Sequence, residues 1–215
     1  YAMAVRITAL HLKVVPVLVV GSEYFLSGDA DAKINEVERG VQCLLRTLQS
    51  SQAFFRRTMQ QTFGIFERTF VIVSSKPCNE WNFMCSIEGE RKDRNGLVFA
   101  AMQECRRFLP DATGAGYKIA VGPFTGLHSQ RYTQACASVS DVAAIPPHGT
   151  CDWNADAYGL CHELGHTFGL GHTADAFPTH PDRWKSLMMN SPIEKCILLP
   201  QEKAHLAACP FFTES

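Results

Sequence analysis

Residues 161 to 172 read Cys161-His-Glu-Leu-Gly-His-Thr-Phe-Gly-Leu-Gly-His172, placing His162, Glu163, His166, Gly169 and His172 at the spacing H-E-x-x-H-x-x-G-x-x-H. At about one chance in twenty for each of five fixed positions, some 200 windows would give on the order of 10⁻⁴ accidental matches. The stretch predicts a helix over 155–168, with Asn154 or Asp152 as its cap. On that helix His162 and His166 lie one turn apart on the same face and can offer imidazole nitrogens to one metal ion. Gly169 stands where the chain needs left-handed φ to turn sharply and bring His172 back as a third ligand. Three neutral nitrogens suit zinc and leave a fourth position for water.

Glu163 points about 100° around the helix from its neighbour, so it does not easily share that metal, but its longer side chain can reach a water held there. It is the natural general base: it takes the water's proton, the hydroxide attacks a polarised carbonyl, and the same carboxyl protonates the leaving amine. A single histidine would read as a satisfied core or surface residue, and His11, His128, His148, His180 and His205 are read that way. A structural zinc site fits the triad poorly, since such sites close all four positions and favour cysteine. Cys161 falls at helical spacing with Tyr158, Gly165 and Phe168, an apolar face turned away from the metal, and reads as a packed or disulfide-bonded residue.

Upstream, Val14-Val-Pro-Val-Leu-Val-Val20 is about a third of a membrane span and is interrupted by Lys13. Its β-branched content reads as a buried strand ahead of a signal-peptide core, because a helix pattern follows where a domain wants its first strand packed. Asp29 and Asp31 offer N-caps to a long amphipathic helix that buries Ile34, Val37, Val41, Leu44 and Leu48. Residues 68–75 read as a strand ended by Pro77, 88–94 as a solvated charge cluster, and Leu97, Ala101, Met102, Cys105 and Phe108 as the apolar stripe of another helix. Strand material follows at 117–121 and 132–145, around a loop at 122–130. This order predicts a mixed sheet covered by helices, with a loop-rich C-terminal end.

The chain's 215 residues suit one domain, 1–215, and its 46% hydrophobic content and net charge of -1 exclude a disordered chain and the basic excess of a nucleic-acid binder. Partners must then be recognised by a site. Nine cysteines without any Cys-x-x-Cys spacing read mostly as disulfides of an exported protein, with at least one left over from the odd count.

The metal motif resembles the zinc-binding signature of the metzincin metallopeptidases, and Ser186-Leu-Met-Met-Asn190 is similar to that family's Met-turn, with Met188, two residues after Ser186, matched to its methionine ahead of Met189. The resemblance implies an α+β fold: a mixed twisted sheet with two or more long helices in an upper lobe (1–172) that ends on the active-site helix. A small loop-rich lower lobe (173–215) would then carry the Met-turn and a final helix opened by Leu199 to Leu206. It implies one zinc ion on His162, His166 and His172, Gly169 and Met188 as structural support, and Glu163 as the catalytic residue of an endopeptidase. The substrate would be an extended peptide on an edge strand between Tyr117 and Ser140, with Tyr132 to Ser138 the preferred stretch, and Asn190 to Ile193 would wall the selectivity pocket. A secreted, cell-surface or periplasmic monomer controlled by a pro-segment or inhibitor is the expected setting, without a membrane span.

Two positions depart from the family pattern. Asn190 stands where some branches place a tyrosine, and Thr173 differs from the Glu, Asp or Ser that marks the commonest branches, which leaves Asp175 as a candidate for the supporting role. No Asp-x-Asp-x-Asp-Gly loop is present, and Gly28-Asp-Ala-Asp31 is too short a cue for calcium. Two other classes stay open: a zinc amidohydrolase acting on small or cell-wall peptides, and a silent protein-binding module, against which the carboxylate of Glu163 argues.

Overall fold

A computed structural model of the chain describes residues 11–26, 28–77, 104–105, 107–109, 116–124, 136–138, 142–144, 153–189 and 193–214. Among these it is a mixed α+β fold. Its strands are β1 (Lys13–Val20), β2 (Gln61–Ile65), β3 (Phe70–Val73), β4 (Lys118–Phe124), β5 (Cys136–Ser138), β6 (Val142–Ala144) and β7 (Phe212–Glu214). Its α-helices are α1 (Ala30–Met59), α2 (Trp153–Thr167), α3 (Thr173–Ala176) and α4 (Pro200–Ala207). The strands form one sheet in the order β5-β6-β4-β1-β2-β7, with β3 also paired to β1. Pairings of β1 with β2, β3 and β4, and of β4 with β6, are parallel, whereas β5 runs antiparallel to β6 and β7 to β2.

The apolar run at 14–20 is the central strand, buried throughout, as parallel pairing under helices demands. Pro16 sits within it without cost to the ladder. The carbonyls of Val14 and Val20 accept from Phe66 N and Ser74 N at 2.9 and 2.8 Å, so alternation turns Pro16 toward that same edge. There β2 pairs only as far as Val14 and β3 begins at Val17, so the missing N–H falls in the gap between them.

Asp29 caps α1 as its position suggests, its carboxylate accepting from Asp31 N at 3.0 Å. Val37, Leu44 and Leu48 are buried and Val41 is half-buried, but Ile34, expected on the same face, is 49% exposed, ahead of Val37, the first residue of α1 to be buried. The helix continues through Phe54 and Phe55 and ends on Gln60 in the left-handed region at φ 61. β2 then starts at once; no strand was expected there, since a non-glycine stop hides the boundary. Near the second helix expected upstream of β4, Glu104, Cys105, Arg107 and Phe108 are helical, with Cys105 buried and Phe108 57% exposed, so Phe108 does not belong to the buried stripe. The charge cluster at 88–94, the remainder of that helix and the loop residues 125–130 lie outside the described residues. β4 extends to Phe124, past the expected loop start at 122.

Helices α1 and α2 pack on each other, α1 also against β1 and β2, and α2 against β4, β5 and β6. Between them Phe55, Phe63, Phe168 and Phe212 form an aromatic core, with Phe55 and Phe168 5.2 and 5.0 Å from Phe212. Phe168 directly follows α2 and Phe212 belongs to β7, so burial of about 150–250 Å² per ring ties the end of the motif helix to the last strand of the sheet. The C-terminal segment therefore contributes a strand to the main sheet as well as covering the helix.

Of the described cysteines, Cys43 is disulfide-bonded, whereas Cys105, Cys161, Cys196 and Cys209 are thiols. The expectation of mostly paired cysteines is thus met at Cys43 and not at these four. Cys161, Cys196 and Cys105 are buried, where a thiol packs as a small apolar group. No described helix is long and apolar enough to cross a membrane.

Candidate metal centre

Helix α2 spans Trp153–Thr167, so Asn154, one of the two caps expected, is already inside it. The helix ends as the motif requires. Gly169 has φ +97, Gly169 N donates to His166 O and Leu170 N to Gly165 O, both at 2.9 Å, and the chain folds back under the helix. A side chain at 169 would be strained by that φ and would also meet His205, which sits 2.7 Å from an ideal Cβ. His205, one of the five histidines read as a satisfied core or surface residue, closes the helix end, with its Nε2 3.0 Å from Phe168 O.

The turn brings His172 to His162 and His166, and ligating atoms of the three lie within 4.8 Å of one another. His162 Nδ1 is 2.8 Å from Leu187 O and His166 Nδ1 2.7 Å from Leu170 O. A carbonyl can only accept, so both Nδ1 atoms carry the proton and both Nε2 lone pairs remain for a metal. The Nε2 atoms of His166 and His172 are 3.2 Å apart. Two nitrogens at zinc bonding distance on adjacent corners of a tetrahedron would be separated by about 3.3 Å. The donor chemistry, the tautomers of His162 and His166 and the His166–His172 spacing fit a tetrahedral divalent ion.

Burial pushes His162 down to about 4, with the Leu187 carbonyl opposing and the neighbouring His166 and His172 adding to the depression. Burial lowers His166 in the same way, opposed by the Leu170 carbonyl. Both rings are accordingly held neutral, the form that ligates. The unfolded chain then takes up protons that the folded chain refuses between the ordinary value of 6.5 and about 4. The histidine contribution to the stability of the metal-free protein is expected to be intact above that window, to fall by about 3 kcal/mol for His162 as pH drops through it, and to level off below. Urea midpoints measured from pH 7 to 4 check this, with His162→Ala giving the flatter profile.

Glu163 is half-buried on α2, one residue on from His162. Met188 is fully buried. Its sulfur would lie 2.7 Å from a Cβ at residue 165, so Gly165, between the two helical histidines, is what lets the 186–189 segment press against the helix. Met189 is only half-buried and takes Ala174 N on its sulfur at 3.1 Å. The segment is held in place by a bridge between Ser186 and Ile197, with Leu187 N donating to Ile197 O at 2.9 Å and Ile197 N to Lys185 O at 2.8 Å. Residues 190–192, expected along the selectivity pocket, lie outside the described residues.

Three side chains of this centre escaped the sequence reading. Tyr158, assigned to the face turned away from the metal, donates to Leu187 O at 3.1 Å and lies 3.1 Å from His162 Nδ1, because one helical turn upstream of a histidine is also its neighbour. Thr173 and Glu202 are buried and bonded to each other at 2.8 Å, whereas Asp175, the candidate for support, is exposed. Glu202 could have been noticed as the third residue of a helix opened by Pro200, the place from which a glutamate reaches back to cap. Cys161 stays on the apolar side, and burial, then Cys196, pushes its thiol well above the usual range, opposed by Ser51 and Arg57, so it is unreactive packing.

No protein-family model matches the chain, and no match is found among curated proteins.

Proposed function

We propose that the chain is a zinc-dependent endopeptidase of metzincin type, acting on extended peptides outside the cytosol. The observation that carries this reading is the convergence of His162, His166 and His172, with the Nδ1 atoms of the first two donated to backbone carbonyls, beside a glutamate on the same helix. When bound there, zinc supplies Lewis acidity, polarising a substrate carbonyl and lowering the pKa of water toward about 7. Glu163 accepts the proton of the attacking water and delivers it to the departing amine nitrogen as the C–N bond breaks and the new C–O bond forms. Met188 and Gly165, packed on each other, keep the floor beneath the histidines apolar and rigid.

Substrate placement is supported by the sheet. β5 is the last strand on its side among the described residues and packs against α2. A peptide added to β5 in extended form would gain main-chain hydrogen bonds on a strand that packs against the helix holding the histidines. β5 falls within the 132–138 stretch preferred for that edge.

The test is exposure of a diverse peptide library to the zinc-loaded chain, read by mass spectrometry with and without a chelator. Internal cuts that vanish on chelation and return with zinc are expected. Release of only terminal or small amide groups would replace this reading with the amidohydrolase one, and no cleavage by a folded, zinc-loaded chain would overturn the enzyme reading.

A further inference from the structure

Glu202, on the final helix α4, is the hub of a buried polar cluster that includes no metal ligand. It is 2% exposed, and Thr173 and Ser186 are each 0% exposed. Its Oε1 accepts from Thr173 Oγ1 at 2.8 Å and from Ser186 Oγ at 2.7 Å, and its Oε2 accepts from Leu199 N at 2.7 Å. Thr173 Oγ1 and Ser186 Oγ are themselves 2.7 Å apart, and Ser186 Oγ accepts from Met188 N at 3.0 Å. Two hydroxyl protons thus serve three contacts around one carboxylate oxygen, and only an acceptor at 202 lets both hydroxyls donate inward.

The cluster joins the two chain segments that set the ligand geometry. Thr173 directly follows His172, so fixing its side chain fixes the backbone that presents the third imidazole. Ser186 directly precedes Leu187, whose carbonyl receives His162 Nδ1 and sets that ring's tautomer and orientation. The link to His166 runs elsewhere, through Leu170 O. We infer that Glu202 is a positioning residue for the metal centre, holding His172 through Thr173 and His162 through Ser186 and Leu187. Burying a carboxylate and two hydroxyls would otherwise be a poor way to pack a helix, since apolar groups of the same volume do it at no desolvation cost.

This inference rests on the zinc reading above, and its test separates the two. Zinc affinity of the full chain is measured by competition with a chromophoric chelator, alongside the visible spectrum of the cobalt-substituted protein. The variants are Glu202→Gln and Thr173→Val, both near-isosteric, with Thr173→Ser as the conservative rescue and Val37→Ala as a destabilised control. Val37 is buried in a different cluster, against Leu18, Val20 and Phe124. Folded Glu202→Gln and Thr173→Val are expected to bind zinc about 10- to 100-fold more weakly, with an altered cobalt spectrum. Thr173→Ser should stay within about threefold of wild type and Val37→Ala should not differ from it. Wild-type affinity in both Glu202→Gln and Thr173→Val, or an equal loss in Val37→Ala, would overturn the positioning role while leaving the zinc site standing. A wild-type chain that takes up no zinc would overturn both.

Discussion

Glu163→Gln is expected to lower the rate of peptide cleavage by about 10²- to 10⁴-fold while leaving zinc bound, because it removes proton transfer and almost nothing else. Glutamine keeps the length and planarity of the side chain, and the residue it replaces is half-buried on a helix whose ligating atoms come from His162 and His166. A carboxylate can take a proton from water and hand it on, whereas an amide can do neither at neutral pH. The loss should fall on kcat, with KM and zinc content close to wild type, since a group that acts in the transition state contributes little to ground-state binding. Single-turnover cleavage and metal analysis on the same preparation check it. A zinc-loaded variant within about threefold of wild type would remove Glu163 from the chemistry, and a variant that loses zinc along with activity would make it part of the metal cage.

Local chemistry accounts for what could be read in advance. The spacing of three histidines, the left-handed turn at Gly169, the Asp29 cap and the apolar strand at 14–20 each depend on residues close in sequence, and each is present as expected. Features set by contacts distant in sequence were not legible. Gly165 is silent in the motif, since its role appears only once Met188 is packed beneath it. Glu202, in the polar run Gln201-Glu-Lys203, is legible at most as the local cap of Leu199 N; its tie to Thr173 and Ser186, 29 and 16 residues away, is not. β2 was hidden because α1 stops on a glutamine, not a glycine, and because the strand's partners are β1 and β7, at opposite ends of the chain. Thr173 shows the same lesson in a smaller compass. As a residue type it matches no expected pattern, yet its hydroxyl occupies the position from which the turn is tied to the Met188 segment.

His166→Ala should remove zinc binding without unfolding the protein. Tetrahedral zinc on protein ligands is worth about 10–16 kcal/mol in all, so one of the positions accounts for roughly 3 kcal/mol, or on the order of 10²- to 10³-fold in affinity. The structural cost is smaller and separate. His166 is half-buried and lies outside the buried cluster formed by Phe55, Phe63, Phe168 and Phe212, so its loss chiefly leaves the Leu170 carbonyl without its Nδ1 donor, a penalty of about 1–3 kcal/mol where water is excluded. The two effects separate in a melting experiment. Zinc at 100 times the wild-type Kd stabilises the native state by about 2.7 kcal/mol, and a 100-fold weaker site leaves less than about 0.5 kcal/mol of that. The variant should therefore melt slightly below metal-free wild type and respond little to added zinc, whereas wild type rises clearly. If His166→Ala kept the wild-type zinc response, the ion would be bound elsewhere, and the convergence of His162, His166 and His172 would have to be explained by packing alone.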